Sequence, residues 1–186
     1  MSTLTDAAPR IIIITGNMAA GKSSVAQALA ERLPRSVHLR GDLFRRMIVN
    51  GQAEMNFDLS SEAQQQLHLR YRIAATVAAL YYQAGFTVVY QDIIIGTDLA
   101  SVVTTFQPYP LLLVVLCPSP EIIAEREAAR SKTGYEDEAS IMAFDHILHS
   151  ATPRLGYWLD TSELTIQETV DNILNHLSDA AILSEA

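Results

Sequence analysis

Cysteine is nearly absent from this chain. Cys117 is the only one in 186 residues, which excludes an intramolecular disulfide and a cysteine-built zinc site. Basic residues are scarce too. Thirteen Lys and Arg face 21 Asp and Glu, a formal net charge of −8, so a broad phosphate-neutralising surface is excluded and no long nucleic acid is expected as a partner. A small local basic pocket survives that objection. Long apolar runs are missing as well: Leu111–Cys117 is the longest, far short of the ~20 residues of a membrane-spanning helix. Repeats and Gly/Ser/Pro-rich linkers are also lacking, and the polar Met1–Pro9 does not have the pattern of a signal peptide. What is present is 49% apolar and 18% charged residues, enough to build one core. The expectation is a single reduced, cytoplasmic domain over residues 1–186, with an oligomeric state that the sequence does not reveal.

Strand-like and helix-like runs alternate along the chain. Arg10–Thr15 is a β-branched run of the kind buried on both faces of a parallel sheet. Val25, Leu29 and Leu33 give a helical period that Pro34 stops. Ser36–Leu39 reads as a short strand, and Leu43–Leu59 is mixed. Ser61 and Gln64 have capping-box spacing ahead of a long helix, with Leu69, Ile73, Val77, Leu80 and Ala84 as its apolar stripe and Gly85 after its end. Phe86–Gln91 and Leu111–Leu116 read as strands. Ser119 and Pro120 then open a helix, the polar segment Ser131–Glu138 follows, and a helix is expected over Ser140–His149. Tyr157–Leu159 is a last short strand before a helix capped by Thr165 and Glu168. Strands joined by helices imply right-handed crossovers, hence an α/β fold, a three-layer αβα sandwich with a five-stranded, mainly parallel sheet. Gly16, Asp42 and Asp92 all follow strand ends, where such sheets bind ligands.

Gly16-Asn17-Met18-Ala19-Ala20-Gly21-Lys22-Ser23 fits G-x-x-x-x-G-K-S, the phosphate-binding P-loop, and it lies between a strand and a helix as the motif requires. Gly16 permits the sharp exit from the strand, and Gly21 lets backbone approach a phosphate without an intervening Cβ. The N–H groups of this loop, continuing into Ser24, surround an anion at a helix start. Lys22 reaches β- and γ-phosphates, and the Ser23 hydroxyl is a ligand for Mg²⁺. Other residues keep two readings. Asp42 is a site carboxylate or the N-cap of a helix over Leu43–Val49. Arg45, one turn later, holds substrate or is solvated. Asp92 holds Mg²⁺ through water, meets a substrate hydroxyl, or merely starts a loop, and Gln91 before it weakens the metal reading. Arg126 and Arg130 share a helix face and either meet a ligand or pair with Glu121, Glu125 or Glu127. His146 and His149 lack an evident fourth metal ligand, and Cys117 reads as a packed thiol.

With these motifs the chain resembles the P-loop small-molecule kinases, the group of shikimate, gluconate and adenylate kinases. It looks most like the chloramphenicol phosphotransferase-like proteins, with zeta toxins as more distant relatives. The resemblance covers nearly the whole chain, but only Gly16–Ser23 is strongly diagnostic. It implies strand order 2-3-1-4-5, ATP with Mg²⁺ as donor, a substrate segment over residues 43–67 and a lid over residues 126–140. It further implies that Asp42 accepts the proton of a substrate hydroxyl, that Arg126 contacts nucleotide, and that Arg130 neutralises the transferring phosphate. Asp160-Thr161-Ser162 resembles the D-T-S near the adenine. The activity implied is ATP-dependent phosphorylation of a small hydroxylated molecule, an antibiotic or a metabolite. A zeta-toxin-like kinase of a nucleotide sugar and a non-enzymatic nucleotide switch are the alternatives.

Overall fold

A computed structural model describes residues 8–55, 58–129, 135 and 137–182. Its sheet is built from β1 (Ile11–Gly16), β2 (Ser36–Arg40), β3 (Thr87–Gln91), β4 (Leu111–Leu116) and β5 (Tyr157–Leu159), all parallel, in the expected order β2-β3-β1-β4-β5. A sixth strand, β6 (Ala181–Ile182), adds an antiparallel pairing of Ile182 with Leu111 and Ala181 with Leu112. At two residues it is too short to leave a periodic signal in the sequence.

The β-branched runs are apolar at every position because both sheet faces are covered. Ile11 and Ile13, Val88 and Tyr90, and Leu111, Leu113 and Val115 face one core; Ile12 and Ile14, Val89, and Leu112, Val114 and Leu116 face the other. Side chains alternate along a strand, so each run serves both layers. Helices α1 (Lys22–Arg32) and α7 (Ile166–Asn175) contribute Val25, Leu29, Val170 and Ile173 to the second core. Helices α3 (Ser61–Gln83) and α4 (Asp98–Phe106) cover the first. The result is the expected αβα sandwich. Each fully buried Ile or Leu of these strands stabilises it by roughly 1.5–3 kcal/mol.

Several local expectations shift. The cap of α3 is Ser60, whose hydroxyl accepts from the Ala63 N–H, one residue before the expected Ser61. The face of α3 that meets the sheet is also rotated. Leu69 and Leu80 are exposed, whereas Tyr71, Ala74 and Ala78 are buried with Leu67, Ala75 and Tyr82 beside them. Alanines let the helix axis lie close to the sheet, so the smaller residues won the buried side. Helix α4 was not expected from its β-branched sequence, although Leu99, Val102, Val103 and Phe106 have helical spacing and are buried.

The remaining helices bring their caps as the sequence implies. Ser119 caps α5 (Pro120–Ala128) by accepting from the Ile122 N–H, and Thr165 and Glu168 form the capping box of α7. Helix α6 (Glu138–His146) starts earlier than Ser140 because Asp137 caps it, and it runs on into a π-helical turn at Ile147–Ala151. Helix α2 (Gly41–Arg46) begins directly after β2. Among the described residues, no helix is long and apolar enough to cross a membrane.

Candidate active site

In-register pairing fixes which loops meet. Ile14 and Arg40 both lie level with Gln91, and Gly16 with Leu116. The chain after β1, β2 and β3 therefore emerges at one sheet edge, as expected. There a cleft of about 650 Å³ is lined by Met18 to Val25, by Asp42, Arg70 and Gln91 to Ile93, and by Arg126, Ala129, Thr161, Leu164 to Ile166 and Thr169.

The phosphate-loop end is local in sequence. Gly21 stands at φ 92°, and a Cβ there would project into open space with nothing within 4 Å. The first turn of α1 has neither an acidic residue nor a side-chain cap, so its N–H groups and positive dipole end are left for an external anion. Lys22 is nearly buried, and its ammonium donates to the Asn17 carbonyl at 2.6 Å across the mouth of the loop. Ser23 and Ser24 are exposed at the cleft. This cradle fits a polyphosphate. Gly16 and Asn17 form its stem and do not line the cleft; Asn17 is fully buried, with both side-chain polar atoms lacking a hydrogen-bond partner.

A second part of the cleft wall, within electrostatic reach of Lys22, is assembled from three segments. Asp42 lies in the first turn of α2 and does not cap it; the N-cap position belongs to Arg40. Its Oδ2 accepts from Arg46 at 2.6 Å and Arg40 at 3.3 Å, whereas Oδ1 takes one long bond from Arg40 at 3.4 Å. Oδ1 thus keeps accepting capacity, on a residue that lines the cleft. Asp92 is buried and held by three donors: Oδ1 accepts from Arg70 at 2.9 Å and from the Ile93 N–H at 2.8 Å, and Oδ2 accepts from the Tyr90 hydroxyl at 3.1 Å. Burial pushes its carboxyl up, while Arg70, those two donors and Lys22 pull the other way. A Cβ at Gly41 would overlap Asp92 Oδ2, so only glycine lets β2 turn into α2 above this carboxylate.

Arg70 is the residue that the sequence did not disclose. Its side chain is 11% exposed, lines the cleft and is held by Asp92. Its partner lies 22 positions away on another element, and a lone Arg within a helix reads as solvated. Its neighbour Tyr71, whose hydroxyl donates to the Ile93 carbonyl at 2.8 Å, was legible only as an aromatic.

The other candidates separate clearly. Arg126 reaches the cleft and donates to the Thr161 carbonyl at 2.7 Å, fixing Thr161 beside it. Asp160 and Ser162 form the turn around that residue, with Ser162 N–H and hydroxyl both donating to Asp160. Arg45 does not line the cleft; it donates to the Ala53 carbonyl at 2.8 Å and braces the chain after α2. Arg130 lies outside the described residues, as do Phe57, 131–134 and Glu136 of the segments discussed above. His149 lies 3.4 Å from Asp145 and His146 meets Ser150; among the described residues no cluster of three or more ligating side chains could hold a metal. Burial and, secondarily, Asp160 push the Cys117 thiol up to about 11, so it is a packed, unreactive group.

Comparison with known proteins agrees with this geometry. A gluconokinase from Sinorhizobium meliloti aligns at TM-score 0.65 and 19% identity, covering 91% of this chain and 92% of that one. The Mycobacterium tuberculosis APS kinase CysC, in complex with AMPPNP and APS, aligns at 0.64 and 19%, covering 92% and 98%. The Deinococcus radiodurans tunicamycin resistance protein aligns at 0.68 and 14%, covering 93% and 98%. At such identities the likeness is one of fold. No curated protein matches the chain in sequence. The AAA domain family model matches residues 11–153, from the first strand through the π-helical turn. That match spans the P-loop and the carboxylates facing it, and on it the chain belongs to the AAA domain family.

Proposed function

We propose that this protein is an ATP-dependent phosphotransferase that moves the γ-phosphate to a hydroxyl of a small molecule, an antibiotic or a metabolite. The observation that carries the reading is one cleft lined both by a P-loop and by Asp42 with Arg70. The solved structures of similar fold include kinases of small molecules, one with a bound ATP analogue and its acceptor. A compact cleft on a chain of net charge −8 suits a small acceptor rather than a polyanion.

Bound Mg²⁺·ATP would supply the transferable phosphoryl group. Met18 to Ser24 offer it backbone N–H donors, Lys22 offers a cation, and the Ser23 hydroxyl is the protein ligand for Mg²⁺. Such an ion keeps most of its shell as water and phosphate oxygen, which fits a site without an acidic cluster. Arg126, Thr161, Leu164 and Ile166 form the end suited to the nucleoside. Asp42 Oδ1 orients the acceptor hydroxyl and takes its proton, while Arg40 and Arg46 hold the carboxylate in place. Phosphoryl transfer depends chiefly on such positioning and charge stabilisation. Asp92 acts through Arg70: paired with it at 2.9 Å, it fixes the guanidinium that lines the cleft. Arg130 remains a proposed contact of the transferring phosphate, whereas Arg45, which braces the chain after α2, is left with a structural part.

The test supplies γ-labelled ATP and Mg²⁺ with a panel of hydroxylated antibiotics and a small-molecule extract. Label in an organic product, lost in Asp42→Asn, is the expected result. Label only in free phosphate, unchanged by Asp42→Asn, would overturn the reading in favour of a nucleotide switch.

A further inference from the structure

The apex of the phosphate loop carries backbone strain that its own sequence does not relieve. Ala19 is the one non-glycine residue with positive φ, at 57°, among the described residues. Such a conformation is unfavourable for a non-glycine residue and persists only where surroundings enforce it. The surroundings come from elsewhere in the chain. Tyr135, only 8% exposed, donates its hydroxyl hydrogen to the Met18 carbonyl at 3.1 Å, across 117 positions of sequence. Its ring packs edge-on against Phe144 at 5.7 Å and 80°, within a small core of Ile123 and Ile141 on which Met18 and Ala19 also rest. Its own N–H donates to Glu127 at 3.3 Å.

We infer that Tyr135 is a positioning residue for the phosphate cradle, setting the orientation of the Met18–Ala19 peptide. In a trans peptide the C=O and N–H point in opposite directions. Tyr135 draws the Met18 carbonyl toward the small core, so the Ala19 N–H turns the other way, into the cleft that Ala19 lines. A donor aimed at a phosphate oxygen before any ligand arrives costs no reorganisation on binding. The opposite rim is fixed from within the motif, where Lys22 and the Ala20 N–H both donate to the Asn17 carbonyl. The P-loop of this chain is therefore preorganised by a tyrosine that the motif itself does not contain. The consequence for ligands rests on the nucleotide reading above.

Tyr135→Phe removes the hydroxyl and keeps the ring. Equilibrium dialysis with labelled ADP and labelled adenosine separates phosphate cradling from general loosening. The expected result is about five-fold weaker ADP binding, the effect of one lost hydrogen bond, with adenosine affinity within two-fold of wild type. Amide exchange at Ala19 in the ligand-free protein is expected to quicken about five-fold while exchange in the interior of α1 stays unchanged. Unaltered ADP binding, or equal loss for ADP and adenosine, would overturn the assignment. Wild-type protein that binds no ADP would overturn the nucleotide reading instead, and exchange at Ala19 would still decide the positioning claim.

Discussion

The two ends of the cleft are built on different principles. At the phosphate end, eight consecutive residues supply the turn, the helix start and the cation, and the contact closing the loop, Lys22 to Asn17, spans five positions. At the acceptor end, Asp42, Arg70 and Asp92 come from α2, α3 and the exit of β3 and meet only because the sheet is in register. Local construction leaves a motif; assembled construction leaves none. On the proposed function, the first part serves the phosphates of the donor and the second carries the selectivity for the acceptor.

Breaking the two ends separately should give different losses. Lys22→Ala removes the cation from the phosphate end, and transfer should fall by roughly 10³-fold or more, with ADP affinity falling alongside in dialysis. Asp42→Asn should lower transfer by roughly 10²–10³-fold in kcat, with ADP affinity within two-fold of wild type. A split of this kind in kcat and binding is the signature of two independent ends.

The acceptor end should also be the more fragile structurally. Arg70→Met leaves the Asp92 carboxylate buried without its cation, an expected loss of about 3–5 kcal/mol in denaturant unfolding. Adding Asp92→Leu to that variant should restore most of the stability and none of the transfer, because a buried pair contributes more to placement than to net stability. If Arg70→Met alone leaves stability intact, the pair is not the brace described.

The smallest effect concerns His38 on β2, below Arg40. Burial, and next the nearby Arg40, hold its imidazole below its ordinary value of 6.5. Its Nδ1 meets Gln27 at 2.8 Å while the buried Nε2 has no partner. A lowered folded-state pKa means the unfolded chain takes the proton more readily, so this contribution is present in full above pH 6.5 and is lost as pH falls from there through the lower folded-state value. Between pH 7 and 5, wild type should lose slightly more stability than His38→Gln in denaturant unfolding, a small effect because solvent screens this half-exposed group. Equal slopes would show that His38 is not charge-sensitive.

What the sequence made legible follows the same division. The P-loop and the caps at Ser119 and Thr165 depend on residues a few positions apart and are found where expected; the strand order came from the family resemblance and is likewise found. The α3 stripe was misplaced because hydrophobic size suggested Leu69 and Leu80, whereas close approach to the sheet selected Ala74 and Ala78. Asp42 had the N-cap of a helix over Leu43–Val49 as its second reading, which fell once α2 was found to start at Gly41. Arg70 and Tyr135 were not legible as site residues: each acts through one partner on a distant element, and a single Arg in a helix or Tyr in a polar segment has no periodic signature.

The central claim is that both ends act on one transfer, and single-turnover kinetics of Asp42→Asn at saturating ATP tests it most directly. Filled nucleotide sites with phosphoryl transfer slowed at least 100-fold to an acceptor that wild type phosphorylates is the predicted result. Transfer at the wild-type rate from those filled sites would contradict it and leave Asp42 without a part in the chemistry.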